Sequence, residues 1–539
     1  MDQSSTMTIF LAALLILALL FGLFLAFRYR SLDPFEPFDR LIIAALPALD
    51  ALVGIALFVI VKAQPLDLWN DVRLARTFAI YHGFALYPSA DTKGPILGAL
   101  HMPVSHLLFG PAVLAPSPTA AIFVACLIAV ALVLLPLFWL FCFSGLVRAR
   151  NLHTSLFALT ACGFLIITGG GFGGSAFKMV HTDAAAVGLA AVAAGLFSST
   201  RSPLTWRRLI LSALFATLSV GAKQTMFPLV VGLCLFLLVA HGLRITLRYL
   251  LALIGCGLAF AAFCFVLFRP PRDFLFNTVT LATHRPGRGG GLFDFPVYKE
   301  SLTPALPCAL CIAAFVILWL LRDGSAKGLR GLFSEHRWLV FPIVGMLLVP
   351  STIKARMTIG GAENHTAILS FFFFVGIGLA LLRYMREDAP PVYSLAVKML
   401  AGMIIAFCVP GILEQIHLTI SKLHTQPNYE AVIQRYQSHH PETTYFPCAP
   451  LVTFYREKRF YDVDTMLVDR EDGGWPLSAA QFASAIPANP QRVVVPEGLR
   501  LSRVLQDYLT GWTAASDLEL PGQIVYERPK AVAAPALAQ

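Results

Sequence analysis

The most constraining feature of this chain is a series of long apolar runs, each of roughly 14 to 22 residues, joined by polar connections. We count about 12 such runs, and an α-helix of that length is long enough to enter or cross a lipid bilayer. The sequence therefore predicts an all-α polytopic membrane protein with about 12 transmembrane helices. The runs are 7–27, 41–61, 119–143, 152–168, 184–197, 209–222, 226–240, 249–268, 304–321, 338–351, 367–382 and 395–413.

Composition supports a membrane protein and argues against nucleic-acid binding. Only 13% of the 539 residues are charged, against roughly a quarter in soluble domains. The formal net charge is +10, but Lys and Arg cluster at the ends of apolar runs. The positive-inside rule places them there, so the charge needs no nucleic-acid partner.

The connections alternate in character, and this alternation predicts the orientation. Every second connection is short and rich in Arg or Lys, whereas the others are long and hold Asp, His, Glu and Gly. Arg28 and Arg30 follow the first apolar run, the reverse of the order in a cleaved signal peptide. Counting 209–222 as a crossing, we predict that both termini and all long loops are non-cytoplasmic, in the periplasm of a bacterial inner membrane.

Three regions are expected. Residues 1–413 form the transmembrane domain, with an outer loop at 63–118 as its active-site loop. Residues 414–528 mix helical and β-rich patterns, including the strand-like QRVVVPEG, and predict a small α/β domain on the outer face. Residues 529–539 are expected to be a disordered tail.

The stretch 67–111 is longer and more charged than a simple connector between membrane helices. Loops of this kind commonly carry function. Further cations stand on the outer side, against the positive-inside tendency, and an anionic ligand such as a lipid phosphate explains them as a set. These cations are Lys93, Lys178, Lys223, Arg285, Arg288, Lys354 and Arg356.

Asp67 and Asp71 directly follow the second apolar run. If the intervening residues are helical, the i,i+4 spacing puts both carboxylates on one face, where either can act as a general base. In the alternative interpretation, Asn70 or Asp71 caps a helix that is stopped by Gly83.

The order of residues in this loop resembles that of the GT-C superfamily, the polyprenyl-phosphate-sugar glycosyltransferases. That superfamily includes the protein O-mannosyltransferases and the lipid A aminoarabinose transferases. The matching residues are Asp67, Ala75, Arg76, Gly83, Tyr87, Pro88, Lys93, Gly94 and Pro95. The spacing in that family selects Asp67, with Asp71 as the second candidate. Leu68 stands where the family usually has a second acid.

The resemblance implies a glycosyltransferase that moves a sugar from a polyprenyl-phosphate donor to a glycan, lipid or protein acceptor. Asp67 or Asp71 would be the catalytic base and Asp183 a supporting acid. Donor phosphate contacts are expected from Lys93, Lys223, Arg285, Arg288 and Arg356. Substrate contacts are expected from His181, Glu363, Asn364 and His365.

No cofactor is expected to be required, and metal dependence is left open. His181 with Asp183, and Glu363 with His365, are two residues apart, but no HxxxH or Cys-based set of candidate ligands accompanies them. The Gly-rich stretches 169–174 and 285–293 lack the spacing of a P-loop.

The competing hypothesis is a transporter or flippase of lipid-linked or anionic substrates. It predicts charged residues buried between facing helices and some internal symmetry. Asp50, inside the second apolar run, supports that hypothesis, but no internal repeat is evident.

Overall fold

The computed structural model describes residues 54–98, 100–143, 162–163, 166, 175–198, 204–287, 295–302, 306–320, 325–358, 364–384, 413–425, 428–440, 443–516 and 519–529. The described chain is mostly helical, with one small sheet near its C-terminal end.

The helices of the first 384 residues are α1 Leu68–Tyr81, α2 Val104–Leu108, α3 Pro118–Phe138, α4 Ser175–Lys178, α5 Thr182–Ser198, α6 Trp206–Ala222, α7 Phe227–His241, α8 Leu243–Leu267, α9 Pro271–Leu275, α10 Phe295–Leu302, α11 Leu306–Trp319, α12 Ser325–Glu335, α13 Val340–Arg356 and α14 Asn364–Tyr384. Residues 54–62 and 413–425 are also helical. Short 3₁₀ turns occupy Gln64–Leu66, Gly110–Leu114, Gln224–Met226 and Arg337–Leu339, and π-helical turns occupy Trp139–Phe143 and Phe276–Leu281.

Five helices among the described residues are long and apolar enough to cross a membrane: Pro118–Cys142, Gln224–His241, Leu243–Leu267, Arg337–Arg356 and Asn364–Arg383. Each coincides with a predicted run to within a few residues at either end, except that Leu243–Leu267 begins six residues earlier than expected. The runs 7–27, 41–61, 152–168 and 395–413 lie wholly or largely outside the described residues. The total of about 12 therefore stays a prediction.

Helix α5 is buried on nearly every side and is the centre of the bundle. Its sequence, TDAAAVGLAAVAAGLFS, is rich in small residues that allow neighbouring backbones to approach closely. A side chain at Gly188 would meet the backbone oxygen of Leu132 in α3. On another face, the Ser212 and Ser219 hydroxyls of α6 donate to α5 carbonyls at 2.9 and 2.7 Å. Small residues and interhelical hydrogen bonds thus hold α5 between α3 and α6.

The C-terminal part of the described chain forms a small α/β domain of short helices and one sheet. Its elements are α15 Tyr429–His439, β1 Thr444–Tyr445, α16 Pro450–Glu457, α17 Asp464–Asp472, α18 Ala479–Ser484, β2 Arg492–Pro496, α19 Arg503–Tyr508, β3 Thr513–Ser516 and β4 Gln523–Glu527. The sheet order is β1-β2-β4-β3, in which β1 and β2 are parallel and the other pairs antiparallel. The predicted strand in QRVVVPEG is β2, buried at Val493 to Val495.

This domain packs directly on the long loop of the membrane domain. Phe78 of α1 contacts Phe454 of α16, with ring centroids 5.7 Å apart. The Asp462 carboxylate accepts from the Ile96 amide at 2.6 Å, and the Val463 amide donates to the Ile96 carbonyl. The buried Arg470 guanidinium donates to backbone carbonyls of residues 89 and 90. The α/β domain and the 67–111 loop therefore lie on the same side of the bundle.

Candidate functional site

Helix α1 begins one residue after the predicted active-site aspartate and presents two arginines on one face. Asp67 is its N-cap, since the side chain accepts from the Trp69 amide at 3.0 Å. The alternative in which Asn70 or Asp71 caps the helix is therefore wrong. Residues 69, 72, 73 and 76 follow the i, i+3, i+4, i+7 spacing of a single helix face, and all four line a cavity.

This central cavity, of about 550 Å³, lies where the outer loops of the membrane domain meet the α/β domain. Its polar lining is dominated by arginine and histidine. The charged and histidine residues of the lining are Arg73, Arg76, His101, His106, His181, Arg285, Asp469, Asp472 and Arg500. A cavity with this lining is suited to an anionic group.

Arg76 differs from the other cavity arginines in lacking a paired carboxylate or an aromatic ring among the described residues. It is buried, and among the described residues no carboxylate pairs with it; its Nη2 contacts the Met466 sulfur at 2.9 Å, and its Nε has no partner. Burial lowers the pKa of Arg76 to about 10, so the group stays charged at neutral pH. Asp469 interacts with Arg76 electrostatically but forms its ion pair with Arg285. A buried charge without a paired carboxylate is costly, and an anionic ligand in the cavity would supply the missing partner.

The other arginines of the cavity have local partners. Arg73 lies over the Trp69 ring, with its guanidinium carbon 5.7 Å from the ring centroid. Arg285 pairs with Asp469. Arg500 makes a bidentate pair with Asp472, at 3.2 Å to Oδ2 and 2.8 Å to Oδ1.

The histidines of the cavity are neutral rather than cationic. Burial lowers the pKa of His101 to about 3, and it lowers the pKa values of His106 and His181 as well. His106 Nε2 has no hydrogen-bond partner among the described residues. Neutral imidazoles can donate or accept one hydrogen bond at each ring nitrogen, which suits contacts to substrate oxygens.

A buried polar cluster lies directly behind the cavity wall, at the N-terminus of α5. Asp183 is fully buried and contacts Lys223 Nζ at 2.5 Å, His181 Nδ1 at 3.1 Å and Asn364 Nδ2 at 2.8 Å. His365 is close enough to interact electrostatically with Asp183 and Lys223. Lys223 reaches Asp183 because the chain becomes extended at residue 223, between α6 and α7. The structure thus brings five of the predicted site residues together.

The two predicted bases have different surroundings. Asp71 is fully buried; its Oδ1 accepts from the Leu451 amide at 2.8 Å and its Oδ2 from the Tyr429 hydroxyl, both in the α/β domain. Burial raises the pKa of Asp71 to about 7. Asp67 is partly exposed, its Oδ2 lies 3.4 Å from Lys422 Nζ, and it interacts electrostatically with Arg73.

The remaining predicted residues are dispersed. Lys93 is exposed and does not line the central cavity; its loop packs on the α/β domain, where the Ser484 hydroxyl donates to the Lys93 carbonyl. Arg285 lines the cavity, and Arg356 is buried at the C-terminal end of α13. Arg288 and Glu363 lie outside the described residues. Among the described residues no cluster of three or more His, Cys, Asp or Glu is suited to a metal ion.

Sequence reasoning did not select Arg73, His101, His106, Asp469, Asp472 or Arg500. The helical spacing of Trp69, Arg73 and Arg76 was a usable signal for Arg73. No local sequence signal marked Asp469, Asp472 or Arg500, because these residues reach the cavity only when the α/β domain packs on the membrane domain.

An apolar groove of about 470 Å³ lies next to the central cavity, between α6, α7, α8 and α9. Met102 lines the groove, whereas Leu100 and His101 line the central cavity, so residues 100–102 separate the two spaces. Gln224 holds this segment: its Nε2 donates to the Leu100 carbonyl at 2.8 Å, and its Oε1 lies 3.3 Å from His101 Nδ1. A polar cavity beside an apolar groove is a geometry for an amphipathic ligand.

Comparison with known proteins gives a fold but no sequence family. No family model matches the chain, and no curated protein matches its sequence. The crystal structure of ArnT from Cupriavidus metallidurans bound to undecaprenyl phosphate superposes with a TM-score of 0.52 at 12% identity, covering 91% of this chain and 99% of that one. The apo structure of the same protein gives 0.50 at 11% identity, covering 90% and 97%. The chain therefore has a GT-C-like fold.

Proposed function

We propose that this chain is an integral membrane glycosyltransferase that moves a sugar from a polyprenyl-phosphate donor to a glycan, lipid or protein acceptor on the non-cytoplasmic side. The observation that carries the proposal is the central cavity, with the buried Arg76 guanidinium, beside an apolar groove. The donor phosphate would lie against Arg76 and Arg73, and its polyprenyl chain would lie in the groove. The undecaprenyl phosphate bound to the structural neighbour supports a donor of this class.

The reaction needs a base and a stabilised leaving group. The base removes the proton of an acceptor hydroxyl, whose oxygen forms a bond to the anomeric carbon as the bond from that carbon to the phosphate oxygen breaks. The electron pair leaves with the polyprenyl phosphate, and guanidinium groups in a low-dielectric cavity stabilise the developing charge.

Asp67 is the better candidate for the base. Both Asp71 oxygens are occupied by donors from the α/β domain, and its side chain is fully buried. Asp67 also has partners, the Trp69 amide and Lys422, but its side chain is partly exposed, Lys422 is half-exposed and 3.4 Å away, and Asp67 interacts electrostatically with Arg73 of the cavity. Asp469 and Asp472 line the cavity but are each paired with an arginine.

The phosphate site is tested with Arg76→Met, which removes the charge and keeps an unbranched side chain. We expect kcat/KM for a polyprenyl-phosphate sugar to fall by about tenfold or more, since hydrogen bonds to charged groups contribute roughly 1.5–3 kcal/mol. Thermal stability should change little, because Asp469, which interacts electrostatically with Arg76, keeps its ion pair with Arg285. Arg435→Met, on the exposed face of α15, is the matched control. Full transfer activity in Arg76→Met would show that the donor phosphate does not bind against Arg76.

The base is tested by incorporation of labelled sugar by purified Asp67→Asn and Asp71→Asn. We expect Asp67→Asn to lose nearly all turnover while donor binding persists, and Asp71→Asn to retain it. The opposite pattern would assign the base to Asp71, and full activity in both would remove this loop from the chemistry. Absence of turnover by wild type, with substrate counterflow in liposomes, would favour the transporter.

A further inference from the structure

A second cavity, of about 620 Å³, opens on the α/β domain beside the central one. Its volume is within the range of roughly 300–1,000 Å³ typical of small-molecule sites. Nothing in the proposed chemistry uses it. This outer cavity is lined by Pro286, Glu471, Asp472, Pro476, Leu477, Ala479, Phe482, Arg500, Arg503, Val504, Asp507 and Tyr508.

The lining has two different faces. One is apolar and aromatic, with the Phe482 and Tyr508 rings packed edge to face at 5.6 Å between centroids. The other is a polar rim in which Arg503 Nε contacts Glu471 Oε1 at 2.8 Å and the exposed Asp507 carries no partner among the described residues. Three carboxylates and two guanidinium groups line the cavity, so it has no excess of cations to attract an anion.

These features match a carbohydrate better than a lipid or a phosphate. A sugar ring presents C–H groups that pack on aromatic and aliphatic side chains, and hydroxyls that donate to carboxylates and accept from guanidinium groups. An acyl chain would leave the polar rim without partners, which is costly. A phosphate would face three carboxylates.

The outer cavity adjoins the central cavity through a thin wall. Asp472 and Arg500 line both spaces, and the neighbouring residues Arg285 and Pro286 line one each. The Arg500–Asp472 pair is bidentate, and the Arg500 side chain is 54% exposed. A molecule held in the outer cavity would therefore place its near end beside the proposed phosphate site.

We propose that the outer cavity binds a neutral oligosaccharide as the acceptor, with a sugar ring on the half-buried Tyr508, which the buried Phe482 supports from behind, and its hydroxyls on Asp507, Glu471 and Arg503. The assignment as acceptor rests on the proposed glycosyltransferase function, whereas the binding itself does not. Among glycan, lipid and protein acceptors, the lining of this cavity favours the glycan.

Binding is tested first, without any donor, so that its result is independent of transfer. The full chain in detergent is probed by saturation-transfer NMR with maltotriose, cellotriose, chitotriose and mannotriose at millimolar concentration. We expect at least one to bind, and both Asp507→Ala and Arg503→Ala to weaken its binding by about tenfold, the effect of losing a hydrogen bond to a charged group. Both side chains are exposed, so folding should persist, and Arg435→Ala on α15 is the matched control.

Transfer is measured second, with the same variants and any trisaccharide that binds. We expect KM for the acceptor to rise about tenfold while KM for the donor stays unchanged. No binding by any of the four probes, or equal binding by wild type and both variants, would overturn the oligosaccharide site. Binding that the variants weaken, in a protein that transfers no sugar, would keep the site and overturn the glycosyltransferase. Transfer to a peptide or a lipid with unchanged kinetics in both variants would overturn the assignment of the outer cavity as the acceptor site and keep the enzyme.

Discussion

At the scale of single residues, burial decides which predicted groups are available for chemistry. Asp67 and Asp71 are equivalent in the sequence, being one helical turn apart beside the same apolar run. In the structure Asp71 holds two donors from another domain, whereas Asp67 caps a helix near Arg73. The difference arises because Asp71 lies inside the contact between α1 and the α/β domain, whereas Asp67 stands at the N-terminal end of the helix.

The buried carboxyl of Asp71 predicts a pH-dependent attachment of the α/β domain. Its pKa is raised from 3.8 to about 7, so the folded state binds this proton more tightly than the unfolded chain. The associated stability is fully present below about pH 4 and is lost as the pH rises through about 7. This contribution to the free energy of unfolding is at most about 4 kcal/mol. We expect Asp71→Asn to remove it and so to flatten the fall in melting temperature between these pH values.

Asp462 and Asp464 contribute to the pH dependence of the melting temperature that remains in Asp71→Asn, because burial raises their pKa values to about 7 and about 6. Thermal melting of wild type and Asp71→Asn across this pH range is the measurement. Identical profiles for the two proteins would show that Asp71 titrates normally.

Variants of the Asp183–Lys223 pair test whether Lys223 has a structural role or contacts the donor phosphate as predicted. Lys223→Met would leave the Asp183 carboxylate buried without its cation, and breaking such a pair costs about 3–5 kcal/mol. We expect a large loss of thermal stability in Lys223→Met and recovery of most of it in Lys223→Met with Asp183→Asn. If the single variant keeps wild-type stability and loses only donor affinity, Lys223 serves the phosphate instead.

At the scale of elements, the small residues of α5 determine how closely the bundle packs. This helix has apolar residues all round, so hydropathy alone does not say which neighbours it has. The neighbours are indicated by the glycines of α5, which leave room for another backbone, and by the serines of α6, which donate hydrogen bonds to α5 carbonyls. Its first turn therefore sits at a fixed position, with Asp183 and His181 behind and beside the central cavity.

Gly188→Ala tests this close packing. The added methyl carbon would meet the Leu132 carbonyl oxygen at 2.0 Å, so α3 must move, and overpacking of this kind costs about 1–3 kcal/mol. We expect a lower melting temperature and reduced activity. Gly255→Ala in α8 is the matched control, because nothing lies within 4 Å of its added carbon. Equal melting temperatures for the two variants would contradict close contact between α3 and α5.

At the scale of the whole molecule, several arginine-containing connections meet at one end of the bundle. Arg337 interacts electrostatically with Arg208 and Arg383, so three of the predicted cytoplasmic connections meet at one end. Asn364 and Arg356, at the other ends of α14 and α13, lie on the side of the cavity and the α/β domain. The two kinds of connection that alternate along the sequence therefore lie at opposite ends of the bundle. Which end faces the cytoplasm is a prediction from the positive-inside rule.

Accessibility of single cysteines tests the orientation in intact cells. Asp91→Cys and Arg435→Cys place exposed thiols on the loop and the α/β domain, and Arg207→Cys places one at the basic end. We expect a membrane-impermeant maleimide to label the first two and not the third, with the parent chain as background. Labelling of Arg207→Cys alone would invert the orientation, and labelling of Asp91→Cys without Arg435→Cys would contradict the contact between loop and domain.

The sequence by itself determined the apolar helices, the arginine-containing connections that meet at one end of the bundle, and the mixture of helix and strand patterns near the C-terminal end. These features depend on local composition and spacing, which survive without knowledge of neighbours. It also indicated Asp183, Lys223 and His181, since charged groups near a membrane stand out against apolar surroundings.

Only the tertiary structure decided which side chains share a cavity. Arg73 and Arg76 line one cavity with Asp469 and Arg500, which lie roughly 390 to 430 residues further along the chain, and no local pattern encodes this proximity. The same packing encloses Asp71 and leaves Lys93 on the surface, although both belong to the most informative stretch of the sequence. Burial and partners control charge and reactivity, and both are properties of the assembled fold.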